Sequence, residues 1–158
     1  MNSLAKKLNI KDQKTLLIDQ LPPDLKHLKN ELTIETGIEV VLEINSTLPI
    51  EWCLLFVQKK NDIKILFDRV RVHMEGDAML WFAYPKKSSK KYKSDITRDE
   101  GWELIGQHGW EPVRMVAIDE DWSAFRFRKV EFIKNITRNA EMALTTEAKT
   151  RTTQKNKK

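Results

Sequence analysis

Hydrophobic and polar positions along the chain switch repeatedly between two periodicities. Ser3 is placed to cap a short helix over residues 3–8, and Lys14–Asp19 (K-T-L-L-I-D) is a compact apolar run that predicts a buried strand. Pro22-Pro23 ends that strand, and proline is tolerated in the first turn of the helix that follows. That helix is predicted over about 23–34, with Leu25, Leu28 and Leu32 as one stripe and Gly37 as its stop. Glu39–Ile44 alternates and is β-branched, which predicts a second strand. Glu51–Gln58 is a continuous apolar run, the pattern of a strand covered on both faces. From Asn61 as cap to about Glu75, the positions Ile63, Leu66, Phe67, Val70 and Met74 recur at helical spacing, with Gly76 at the stop. Ala78–Tyr84 reads as a further buried strand. Thr97-Arg98-Asp99-Glu100 has the form of a capping box, so a helix is expected from there to Gly109. Trp110–Ile118 and Ser123–Glu131 are predicted strands joined by Asp119-Glu120-Asp121, and Phe125 and Phe127 alternate with Arg126 and Arg128.

Strands alternating with helices predict an α/β domain with a mostly parallel sheet and helices on both faces. The last two strands are too closely joined to be parallel. The expected architecture is therefore a Rossmann-like, six-stranded sheet ending in a C-terminal antiparallel strand pair. It resembles a shortened methyltransferase variant of that fold, an analogy that carries no function by itself. Residues 1–137 are expected to form one domain. Residues 138–158 lose apolar periodicity and are expected to be a basic, disordered tail.

Composition narrows the class. A chain of 158 residues, 41% hydrophobic and 32% charged, is long enough for a sizeable core. No apolar run is long enough to span a membrane, and the first residues lack the apolar region of a secretory signal. The one cysteine, Cys53, allows no internal disulfide, so a reducing cytoplasmic setting is expected. The net charge of +5 is unevenly spread: residues 145–158 carry five cations against Glu147, and residues 86–98 carry six against Asp95. The rest of the chain is therefore slightly acidic, which does not fit a broad nucleic-acid footprint.

The stretch W-F-A-Y-P-K-K-S-S-K-K-Y-K-S-D-I-T-R-D-E-G-W, followed by G-W-E-P-V and A-I-D-E-D-W-S-A-F-R-F-R, spans roughly residues 81–128. It resembles a bacterial family of unknown function whose members are similar to small, shortened S-adenosylmethionine methyltransferases. The resemblance implies the same fold and points to the same basic loop. It implies no reaction and no catalytic roles.

Candidate chemistry concentrates in that loop. At the carboxyl end of a strand, where open α/β sheets bind ligands, Lys86, Lys87, Ser88, Ser89, Thr97 and Arg98 could gather around an anion. Asp119 and Arg126 are expected close behind, with Asp119 or Asp121 able to pair with Arg98 or Arg126. The competing reading is a solvated charge run with Thr97 and Glu100 acting only as caps, and an acidic turn at 119–121. A methyltransferase or dinucleotide enzyme needs a glycine-rich turn after its first strand, but Asp19-Gln20-Leu21-Pro22-Pro23-Asp24 has two prolines and no glycine. No cofactor is therefore expected. His27, His73 and His108 are scattered, no zinc-type spacing occurs, and no metal is expected. Cys53 and the five tryptophans read as core residues. Three functions stay open: a non-catalytic domain that binds an anionic ligand or partner at residues 86–98, a degenerate S-adenosylmethionine-dependent methyltransferase, and a nucleic-acid-associated protein using the loop and tail.

Overall fold

The computed structural model describes residues 3–44 and 49–133. The expectation for the basic tail at 138–158 lies outside them. Six strands form one sheet: β1 (Thr15–Asp19), β2 (Glu39–Val41), β3 (Ile50–Phe56), β4 (Met74–Pro85), β5 (Trp110–Ala117) and β6 (Trp122–Lys129). Their order is β2-β1-β3-β4-β6-β5. β2, β1, β3 and β4 run parallel to one another, and β6 lies antiparallel between β4 and β5. The chain is thus an α/β fold with a six-stranded mixed sheet. Its strand order reverses direction between β1 and β3.

Apolar residues explain why helices cover both faces. Along β3, Trp52, Leu54 and Phe56 enter one core, whereas Cys53 and Leu55 enter the other. The first core lies under α1 (Leu4–Lys7) and α2 (His27–Thr36), through Ala5, Leu28 and Leu32. The second lies under α3 (Lys60–Val70) and α4 (Glu103–Gln107), through Ile63, Leu66, Phe67, Val70 and Ile105. A strand buried on both faces has no solvent side, hence the unbroken apolar run at 52–57. Each fully buried Leu, Ile or Phe contributes about 1.5–3 kcal/mol. Four tryptophans of the 81–128 stretch and Trp52 are all buried, and the Trp52 indole donates to the Leu8 carbonyl at 2.9 Å.

The local signals at the helix ends behave as their chemistry dictates in some places and not in others. The Ser3 hydroxyl accepts from the Lys6 amide at 3.3 Å, capping α1. The segment after Pro22 is a 3-10 turn at Pro23–Leu25 before α2 begins, and Gly37 closes α2 in the left-handed region at φ 72°. α3 stops earlier than its stripe implies. A 3-10 turn follows at Arg71–His73, and Met74 is the first residue of β4 rather than the last of the helix. Met74 is buried all the same, so a core position reached through extended backbone mimicked the helical repeat.

The expected helix from Thr97 to Gly109 is corrected to the five residues of α4. The Thr97 hydroxyl does accept from the Asp99 and Glu100 amides, at 3.2 and 3.1 Å. Those bonds close an isolated turn, with the Thr97 amide donating to the Glu100 carbonyl. Gly101 then takes φ 110°, a conformation that no helix contains.

Candidate functional site

Residues 86–98 form a strap across the carboxyl ends of β1 and β3. At one end the Lys86 amide donates to the Asp121 carbonyl at 2.8 Å, and the Ser89 hydroxyl donates to the Asp121 carboxylate at 2.8 Å. At the other end the Ser94 hydroxyl donates to the Gln58 carbonyl at 2.6 Å, and the Gln58 side chain donates to the Lys93 carbonyl at 3.0 Å. Asp95 accepts from the Lys60 amide at 2.8 Å and so caps the first turn of α3 from outside the helix. Asp62 accepts from the Gln58 and Lys59 amides at 3.0 and 2.9 Å. The cap expected at Asn61 is therefore supplied by Asp62 and Asp95, which can reach the free amides that open the helix. Asp95→Ala is expected to lower stability by about 1 kcal/mol in urea denaturation, with faster amide exchange at Lys60.

Beneath the strap is a cleft of about 440 Å³, lined by Gln20, Pro22 and Pro23 after β1, by Phe56, Val57 and Gln58 at the end of β3, and by Ile65, Leu66 and Arg69 of α3. Asp62 completes the α3 side, and Tyr92 of the strap and Trp122 of β6 close the remaining wall. This is the point where the strand order reverses, at which chains leaving adjacent parallel strands diverge to opposite faces and leave a crevice. Trp122 packs edge-on against Phe56 at 5.1 Å and against Tyr92 at 5.0 Å, so the aromatic wall is continuous with the core. Gln20 holds a left-handed φ of 62°, turning the chain away from β1 as a glycine otherwise would. The two prolines bound the cleft rather than fill it.

Charge around the cleft is partly spent on internal pairs. Asp19, only 4% exposed at the end of β1, accepts from Arg69 at 3.2 Å and from the Gln20 side-chain Nε2 at 3.3 Å. Lys91 meets Asp24 at 2.6 Å, and the Tyr92 phenol donates to the same carboxylate oxygen at 2.5 Å. Those bonds, from Lys91 first and then Tyr92, hold the Asp24 carboxyl below its ordinary range. The bond to Asp24 raises the Tyr92 phenol and the Lys91 ammonium. On the other face burial raises Tyr84 to about 12, partly offset by the nearby Arg98 charge.

The structure brings some of the residues singled out in the sequence together and separates others. Lys86 and Ser89 meet the turn at 119–121, where the Asp119 carboxylate accepts from the Asp121 and Trp122 amides at 2.8 Å each. Asp119 therefore shapes the turn, and pairs with neither Arg98 nor Arg126. Lys87 and Ser88 are exposed beside it. Thr97 and Arg98 follow Ile96 on the face of α3 and α4. Arg126 points to the opposite face, where it donates to the Asn9 side chain at 3.2 Å, and burial lowers its basicity. No helix opens at Thr97, so its amides and dipole do not serve an anion. Gln20, Asp24, Gln58, Arg69 and Tyr92 were not foreseen. The one signal for them is positional: Gln20 and Asp24 follow β1, Gln58 follows β3, Tyr92 lies in the strap and Arg69 lies in the last turn of α3.

Among the described residues no group of histidine, cysteine and carboxylate side chains could hold a metal ion, and no helix is long and apolar enough to cross a membrane. The chain matches no protein-family profile and no curated protein.

Proposed function

We propose that the chain is a Rossmann-like, non-catalytic domain that binds a small anionic ligand in the cleft between β1 and β3, under the basic strap at 86–98. The observation that carries this reading is the coincidence of three features. The cleft lies at the reversal of strand order, it has a mixed aromatic and polar lining, and its roof is the most cationic segment of the described chain. Among the described residues no carboxylate pairs with Lys86, Lys87, Lys90, Lys93 or Arg98. Their charge stays available to draw an anion towards a body that is otherwise slightly acidic. The lone, fully buried Cys53 fits a reducing, cytoplasmic setting. The test is an amide-shift survey by NMR with a library of nucleotides, sugar phosphates and dicarboxylates. The expected result is a ligand that shifts Gln20, Gln58 and Tyr92 together, and a library that leaves all three unmoved contradicts the reading.

The second reading is a degenerate methyltransferase. It is favoured by the parallel run of strands closed by an antiparallel C-terminal pair, which resembles the methyltransferase variant of the fold. Gln20 and the two prolines offer side-chain bulk where close backbone approach to a cofactor is required. Calorimetry with S-adenosylmethionine is therefore expected to give no binding below about 1 mM, and micromolar binding would make this the leading reading.

A further inference from the structure

The contacts of the strap specify how an anion would be held, on the premise of the cleft proposed above. Lys91 and Tyr92 are consecutive, and both donate to one oxygen of Asp24, at 2.6 and 2.5 Å. Asp24 belongs to the Pro23–Leu25 turn, Pro22 and Pro23 line the cleft beside it, and Tyr92 lines the cleft from the strap. The contact therefore spans the rim. Its members are well solvated, with Lys91 56% and Asp24 47% exposed, so the pair contributes little to stability. Elsewhere the strap is tied down through Ser89, Ser94 and Asp95, each held to the body by a hydrogen bond of its own. The segment between Ser89 and Ser94 is held on the turn after β1 by this carboxylate.

We propose that Asp24 is a built-in stand-in for the anionic group of the ligand. A carboxylate or phosphate entering the cleft takes Lys91 Nζ and Tyr92 Oη, and Asp24 is released to solvent. Two donors aimed at one acceptor oxygen are the arrangement that a compact anion needs, and such charge-assisted bonds are the strong ones. Asp24 then acts as an internal competitor. It keeps the donor pair occupied and oriented when no ligand is present, and it lowers the apparent affinity by the fraction of time it holds the site.

The test uses inorganic phosphate as probe, followed by NMR at the Tyr92 amide in the full chain. Asp24→Ala is expected to bind phosphate about tenfold more tightly than the wild type, with unchanged spectral dispersion because Asp24 is exposed. The gain should vanish in Asp24→Ala/Lys91→Ala and shrink in Asp24→Ala/Tyr92→Phe. Asp12→Ala removes an exposed carboxylate outside the cleft and should give no gain. Equal affinity with and without Asp24, an equal gain in Asp12→Ala, or a gain that survives the loss of Lys91 would each overturn the proposal. If Asp24→Ala fails to tighten phosphate binding while a cellular ligand is still displaced from the cleft by Ile65→Trp, this inference falls and the cleft reading stands.

Discussion

Trp102→Ala should lower the unfolding free energy by about 3–5 kcal/mol. Trp102 is buried at the centre of an aromatic group, with Phe127 at 5.1 Å, Phe82 and Phe125 at 5.5 Å and Tyr84 at 5.6 Å. Removing the indole leaves a void bordered by rings that belong to rigid strands, and such a void collapses poorly. Its Nε1 also donates to the Thr97 carbonyl at 2.8 Å, so the turn at 97–101 loses its tether to the core. Trp102→Phe keeps most of the ring contact and should cost far less, with about 1 kcal/mol for the lost hydrogen bond. Urea denaturation of the two variants beside the wild type checks both values. A loss below about 1 kcal/mol for the alanine variant would mean that the second core is not organised around this residue.

The second large effect lies on the other face. Trp122→Ala should also cost about 3–5 kcal/mol, and here the loss reaches the candidate site. Trp122 starts β6, its amide is fixed by Asp119, and its ring supports both Phe56 and Tyr92 in the cleft wall. Without it Tyr92 keeps the Asp24 bond and loses its packing surface. Amide exchange measured under native conditions should therefore speed up across the strap between Ser89 and Ser94, more than in Trp102→Ala at matched stability. Equal protection of that segment in the two variants would show that the strap is held by its hydrogen bonds alone.

The sequence made much of the frame legible, for reasons that differ from element to element. The apolar run at Trp52–Val57 has the length and pattern of a strand covered on both faces, and the close coupling of the last two strands requires an antiparallel pair. The Leu28 and Leu32 stripe and Gly37 marked α2 because propensity, packing and cap chemistry agree there. Thr97-Arg98-Asp99-Glu100 misled because a hydroxyl that accepts from the following amides looks the same in an isolated turn and in a helix. The decision came from Gly101, whose backbone conformation sequence alone does not reveal. Met74 misled because burial repeats at helical spacing even where the backbone has become a strand.

The position of the candidate cleft was legible in the sequence, and its lining residues were not. A basic loop after a buried strand pointed to the carboxyl edge of the sheet, and the strap is there. The sequence could not show that its ends are fastened to Asp121 and Gln58, nor that Tyr92 turns inward, since these contacts join residues some 30 or more apart along the chain. Arg126 was grouped with the loop by sequence proximity to Asp121; it shares the face of Trp122 and Ala124 but lies four residues further along β6, opposite Trp81, and meets Asn9 instead of the strap. Pro22-Pro23 read as an obstacle to a methyltransferase or dinucleotide cofactor, and they form one wall of the cleft.

The central claim is that the cleft between β1 and β3 is a ligand site, and native mass spectrometry of protein purified from its own cells tests it most directly. Ile65 is 46% exposed and lines the cleft from α3, so Ile65→Trp fills the space without removing a core contact. The account predicts a small anionic species bound one-to-one to the wild type and absent from Ile65→Trp, with both proteins equally folded. A wild type that carries no ligand, or a ligand retained by Ile65→Trp, would contradict it.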